Sequence, residues 1–514
     1  MKKVKNIILS ITALIAASSC SESFVEENPP SEITPDGLLT TEAGAQVYLN
    51  GAYGAIQHTL ASGGGGTNAA WQIHWGTIAT DEVVVPGWAG DRKLMFLQQV
   101  TPSNNTVLDV WQELYEAVNI ANSVIDRIGA MTEDQINNEA KEKMIAEAKF
   151  CRAAAYFGLV VPFENIPLHK NETVTVEDAI LPQSSAAEVY EFIISDLKAA
   201  SAVLPEEQGG AKATKGAAQA LLGKVYLQMT GFPLNQTDKF ALAEKEFEDV
   251  IRSGVYDLLD NYADVFKLDF EQSAEIVYAF PMDGPGQSEG GNLSTFYGPN
   301  GAVSNGGGWG TCYINQEFET SYDRDDLRLR NNVAVHNAND MTREEAVEVD
   351  PNDWGTNKVS WRGWKTHAEK PNAYANDTPF DNPYIRYSDV LLMYAEALNG
   401  QGKLTQIDID QTVNRLRSRV RNIPSAVPDM VLGTQEQNAE EILSERRKEL
   451  CFEGWRRNDL IRFGKYKETI LAIDQGGWST AGNPGPNYED FEIRWPIPSS
   501  ELEINPNLIQ NEGY

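Results

Sequence analysis

Apolar residues in this chain recur at helical spacing, and the helical stretches come in pairs. Between 109 and 128, Val110, Leu114, Val118, Ala121, Ile125 and Ile128 fall three or four apart, the signature of a helix with one buried face. Residues 139–161 repeat the pattern with Met144, Ala148, Cys151, Ala155 and Leu159, and their many alanines let a neighbouring helix approach closely. Further pairs are predicted at 186–204 with 214–229, 387–399 with 408–421, and 439–452 with 459–473. Two antiparallel helices joined by a short turn form a natural unit, and these lengths fit helical repeats of the tetratricopeptide kind. The tetratricopeptide consensus itself is poorly kept, so the prediction rests on the paired spacing. It is a mostly α fold: a tetratricopeptide-like helix-pair scaffold with long aromatic- and Gly-rich loop insertions.

The insertions are residues 60–107 and 283–385, rich in Gly, Asn, Pro and aromatics and punctuated by glycines at 63–66 and 306–308. Loops this long are usually functional or disordered, and their density of tryptophan argues against disorder. At the N-terminus, Lys2, Lys3 and Lys5 precede an apolar run, then Ala17-Ser18-Ser19-Cys20, which is the order of a bacterial lipoprotein export signal. The apolar run falls short of the about 20 residues that a spanning helix needs. The expectation is a chain anchored through lipid on Cys20, with an ordinary cleaved signal as the alternative. The predicted organisation is a signal peptide at 1–19, an acidic tether at 20–35 and one domain at 36–514. Within that domain an N-terminal helical part (about 36–270), the insertion (about 283–385) and a C-terminal helical part (about 386–514) follow one another.

With 42 basic against 74 acidic side chains the net charge is -32, which would repel phosphate backbones; nucleic acid is excluded as a partner. Besides Cys20 only Cys151, Cys312 and Cys451 occur, isolated and odd in number, so neither a disulfide framework nor a CxxC site is indicated. No HExxH, GxSxG or P-loop is present, and His58, His74, His169, His336 and His367 lack ligand spacing. A carboxylate pair for glycoside hydrolysis is a property of the fold and not of sequence spacing.

Several motifs resemble those of the SusD/RagB family of outer-membrane nutrient-binding lipoproteins. Thr80-Asp81-Glu82 is followed, after Pro86 and Trp88, by Trp111-Gln112-Glu113-Leu114-Tyr115 and Asn119-Ile120-Ala121-Asn122. Glu147-Ala148-Lys149-Phe150-Cys151-Arg152-Ala153 with Tyr156-Phe157 is similar to a second family helix. The run from Arg386 to Ala397 is a near-complete copy of a third, and Glu445-Arg446-Arg447-Lys448-Glu449-Leu450 with Asp459-Leu460-Ile461-Arg462 matches the segment after it. Trp495-Pro496-Ile497-Pro498 and Asn505-Pro506-Asn507-Leu508 resemble the family's ending. The resemblance implies a non-catalytic protein on the outer face of the outer membrane. It also implies a SusC-like TonB-dependent transporter as partner, to which captured oligo- or polysaccharide is handed. It implies no cofactor; calcium occurs in some members, and no DxDxDG loop is found here.

Sugar rings present an apolar C–H face and a rim of hydroxyls, so a glycan site needs flat aromatics beside a few polar groups. Trp71, Trp75 and Trp88 lie in the first insertion; Phe296, Tyr297, Trp309, Trp354, Trp361 and Trp364 lie in the second. The family's ligand contacts come from the same two regions, which makes Trp88, Tyr297 and Trp309 the leading candidates, with Trp71, Trp75 and Asp81 beside them. Asp81 and Glu82 have the chemistry to accept from sugar hydroxyls or hold a cation, with loop anchoring as the alternative, favoured for Glu82. Arg386 and Asp389 read as a structural ion pair, and the alternating charges of 445–459 as a salt-bridged helix surface. A peptide-binding lipoprotein of the RagB type and a lipid-anchored glycoside hydrolase stand as the competing functions.

Overall fold

The computed structural model describes residues 35–61, 70–282, 290–297, 309, 311–337, 343–345, 359–363, 378–473 and 482–514. The signal, most of the tether with Cys20, both glycine runs, Trp354, Trp364 and the side chain of Trp361 lie outside them.

The predicted pairs form. Helix α1 (Glu42–Ala61) leads into α2 (Asn105–Ala130) and α3 (Asn138–Phe163), followed by α4 (Ala186–Val203), α5 (Lys215–Met229) and α6 (Lys239–Arg252). Each packs mainly on its neighbour in sequence, as expected of a helical-repeat array. Local chemistry sets the starts: Asn104 and Asn137 accept from the backbone amides of Val107 and Ala140, and Ser185 forms a reciprocal capping box with Glu188. After the insertion come α7 (Tyr387–Gly400), α8 (Gln406–Gln411), α9 (Val413–Arg419), α10 (Gln435–Glu449), α11 (Arg456–Arg462) and α12 (Tyr466–Ala472).

The helices expected at 408–421 and 459–473 are each broken. Thr412 turns its hydroxyl back onto the carbonyl of Asp408, and Gly464 adopts a φ of +68° between α11 and α12. Small antiparallel sheets complete the fold. Ile276–Phe280 pairs with Asn382–Arg386 in the core, and Val333–Asn337 sits between Arg343–Glu345 and Val359–Gly363 in the insertion. Among the described residues no helix is long and apolar enough to cross a membrane, and no group of three His, Cys, Asp or Glu is placed to hold a metal ion.

The charged run of 445–459 forms salt bridges, but inside the protein instead of on its surface: Glu445, Arg446, Arg447, Glu449, Glu453 and Asp459 are buried. Arg386 donates to Glu453 at 2.8 and 2.9 Å, to Glu275 at 2.8 Å and to Glu449 at 3.2 Å. Arg386 and Asp389 do not pair with each other; Asp389 receives Lys224 at 2.6 Å and Arg446 at 2.8 Å. Buried charges persist only when paired in this way, and both networks tie α7 to the α10–α11 junction.

Candidate functional site

The segment that opens the first insertion is core, not loop. Trp71–His74 forms a short helix, and Trp71 and the Trp75 that caps it both point inward: Trp71 donates to the carbonyl of Gly158 at 2.9 Å and Trp75 to Asn458 Oδ1 at 2.6 Å. Their rings meet Trp455 and Trp495 edge-on at 5.7 and 5.1 Å. Both are fully buried, so neither has a face to offer a ligand. The backbone behind them makes a contact that only glycine allows. A Cβ at Gly76 would lie 2.0 Å from the carbonyl oxygen of Gly454, and Gly454 itself has a φ of +83°.

Tyr297 is buried too. Its hydroxyl donates to Thr77 Oγ1 at 2.9 Å and its ring packs on Phe452 at 5.0 Å, so it wedges the second insertion onto the first. Asp81 accepts two hydrogen bonds from Arg456, at 2.8 and 2.7 Å, and lies 3.1 Å from Arg447 Nε. Burial alone would raise its carboxyl; the two guanidinium groups outweigh that and hold it at about 2. Asp81 is thus an anchor for this segment, its oxygens taken by arginine. Glu82 accepts from the amide of Phe452 at 3.2 Å, the loop-anchoring role, and burial pushes its carboxyl up to about 8. Val83–Val84 then pairs with Tyr313–Ile314, joining the two insertions directly.

Beyond that seam the aromatic pattern changes. Trp88 is 57% exposed, a large ring left largely to solvent. Gly90, with a φ of +59°, turns the chain into the short helix Asp91–Phe96. Arg92 on that helix donates through Nε to His74 Nε2 at 2.9 Å, which makes the imidazole neutral with its proton on Nδ1. The same guanidinium lies 5.2 Å from the ring centre of Phe296, and Phe296 meets Trp309 edge-on at 4.8 Å. Trp309 is half-buried. Trp88 and Trp309 therefore stand on segments that are locked together through Arg92, His74 and Phe296. Burial holds Arg92 below the usual arginine range and Lys93, whose Nζ donates to the carbonyl of Val85, down to about 8.

Of the predicted residues, then, Trp88 and Trp309 keep ring surface, while Trp71, Trp75, Tyr297 and Asp81 build the platform beneath. Arg92 and His74 were not anticipated; no motif marks them, since their pairing depends on a turn at Gly90. Among the described residues Cys151, Cys312 and Cys451 are buried and form no disulfide. The site offers indole faces and a few polar groups.

A family model described as the SusD family matches residues 353–514, and one described as starch-binding associating with outer membrane matches residues 56–227. A SusD-like protein of Formosa agariphila is 27% identical over 551 residues, covering 100% of both chains. The starch-binding protein SusD of Bacteroides thetaiotaomicron is 24% identical over 493 residues, 85% of this chain and 84% of that one. Among solved structures, a SusD homolog from Bacteroides thetaiotaomicron superposes with a TM-score of 0.78 at 22% identity, covering 94% of this chain and 99% of its own. Surface glycan-binding protein A of the same organism, solved in complex with laminarihexaose, gives 0.72 at 20% identity, covering 92% and 100%. At these identities the structural matches speak for the fold.

Proposed function

Because the chain belongs to the SusD/RagB family, we propose that it is a non-catalytic glycan-binding lipoprotein of the cell surface, anchored in the outer membrane through Cys20. It captures oligo- or polysaccharide and delivers it to a SusC-like TonB-dependent transporter. The observation that carries this reading is the contrast among the insertion tryptophans: Trp71 and Trp75 are spent on the core, while Trp88 is 57% exposed on a segment braced to that of Trp309. A rigid indole with an open face suits the C–H face of a pyranose. Asp81, fixed by two arginines, is poorly suited to the general acid or nucleophile that a glycoside hydrolase needs.

The test is a binding screen of the delipidated protein against plant, host and microbial glycans, with reducing-end release followed in the same wells. Saturable binding without release supports the proposal. Binding of peptides in preference to every glycan would favour the RagB-type function, and release of reducing ends would favour the hydrolase. Membrane release of a Cys20→Ala variant, in cells lacking the transporter, tests the anchor. Recovery of a large β-barrel in a mild-detergent pull-down tests the partner.

A further inference from the structure

A second recess lies on another part of the molecule, between α2, the strand Ile166–Pro167 and the C-terminal helix Ser499–Ile504. It encloses about 430 Å³, and none of the residues of the Trp88–Trp309 group lines it. Its walls are Trp111, Tyr115, Pro167, Ile180, Ile504 and Leu508. Polar side chains line it too, and several of them are already engaged within the protein. The Tyr115 hydroxyl donates to the carbonyl of Pro167 at 2.9 Å, Asn119 Oδ1 accepts from the Thr173 amide at 2.8 Å, and Asn505 Nδ2 donates to the carbonyl of Leu181 at 2.8 Å. The recess thus combines apolar wall with amides bonded within the protein and with the carboxylates of Glu116 and Glu501.

Its surroundings are apolar as well. Val174 and Val176 are 71% and 70% exposed, and Ile504 and Ile509 are 65% and 75% exposed. The two segments that carry them are stitched together, because the Ile509 amide donates to Gln183 Oε1 at 2.9 Å and Asn507 Nδ2 to the carbonyl of Ile180. Exposed aliphatics gathered round an apolar recess mark an interaction surface. The same walls carry Glu116 and Glu501, so an incoming apolar group meets carboxylates on its way in.

We propose that this recess docks a protein segment presenting one large apolar side chain flanked by lysine or arginine. The apolar side chain fills the recess, and the flanking cations meet the glutamates. Charge complementarity selects this occupant over an acidic segment, which the same glutamates would repel. The inference stands apart from the glycan reading and uses none of its residues.

Three fluorescein-labelled twelve-residue peptides test it on the full-length protein by anisotropy: leucine and phenylalanine between lysines, the same between glutamates, and serines between lysines. The expected result is that the first binds at least about tenfold more tightly than either of the others. Ile504→Asp and Glu116→Lys, both at exposed positions, should each weaken it about tenfold or more with an unchanged melting temperature, and Trp88→Ala should leave it unaffected. Equal binding of the serine peptide would reduce the effect to net charge and overturn the proposal. So would absence of binding, indifference to both variants, or loss of binding in Trp88→Ala, which would place the peptide at the aromatic site.

Discussion

Replacing Trp88 by alanine separates what that ring contributes to the ligand from what it contributes to the fold. A tryptophan carries roughly 250 Å² of burial capacity, and an exposure of 57% leaves about 140 Å² of it in solvent. A pyranose stacks on one face, covering about half of that. At about 25 cal/mol per Å² the contact amounts to about 1.8 kcal/mol, or about twentyfold in affinity. The packed remainder sets a stability loss of at most about 2–3 kcal/mol. Trp75→Ala is the internal comparison: the ring is fully buried and its N–H is bonded to Asn458, so its loss should cost about 3–5 kcal/mol. Isothermal titration with the glycan found in the screen, and urea unfolding of each variant, read the two quantities. Unchanged affinity in Trp88→Ala would refute the stacking role, and so would an affinity loss that merely tracks unfolding.

Other perturbations probe the platform. Burial raises Glu82 to about 8 against about 4.3 when unfolded, so the folded state binds the extra proton. Its contribution is whole at acidic pH and is lost as pH rises through 8; Glu82→Gln should therefore lose less melting temperature than the parent between pH 5 and pH 9, and parallel curves would contradict this. Arg386→Met takes the buried guanidinium away from Glu453 and leaves Glu275 and Glu449 to Arg419, and should cost about 3–5 kcal/mol in urea unfolding; a loss below about 1 kcal/mol would show that water or protonation relieves the carboxylates. Gly76→Ala forces a methyl group against the carbonyl of Gly454 and should cost about 1–3 kcal/mol while weakening the glycan, because the segment carrying Trp88 is displaced; unaltered melting would mean that the two backbones part freely.

The helix pairs were legible because burial of one face imposes a spacing that survives in sequence, as at Val110, Leu114 and Val118. Helix α6 follows the same rule, but only Ala243, Phe247 and Val250 are buried along it, too sparse a stripe to stand out from its charged surface. Helix α1 escaped although Leu49, Tyr53, Ile56 and Leu60 are buried along it at helical spacing, because Gly44, Gly51 and Gly54 interrupt the stretch with a poor helix former. Composition misled at Trp71 and Trp75: flanking glycine and asparagine suggested an open loop, whereas their spacing of four, with Ile73 and Ile78 nearby, is that of a buried helical turn. The alternating charges on α10 gave the salt bridges but not their burial, since sequence does not say which side of a charged helix another element will cover. Tyr297 and Asp81 were placed in the right region with the wrong orientation, because their partners Thr77, Phe452, Arg447 and Arg456 are distant in sequence and no local pattern links them.

The bond from Arg456 to Asp81 spans 375 residues, and that separation has a temporal meaning. At about 5–20 residues per second, a ribosome takes on the order of 20–75 s to make the stretch between them. Throughout that interval Trp71, Trp75 and the segment leading to Trp88 have been synthesised while Trp455, Arg456 and Asn458 have not. The early helices have their neighbours at hand and need no such wait. The nascent protein thus carries an apolar, tryptophan-bearing stretch that remains unsheltered until nearly the last sixty residues emerge, and its seam is sealed only when synthesis is almost complete.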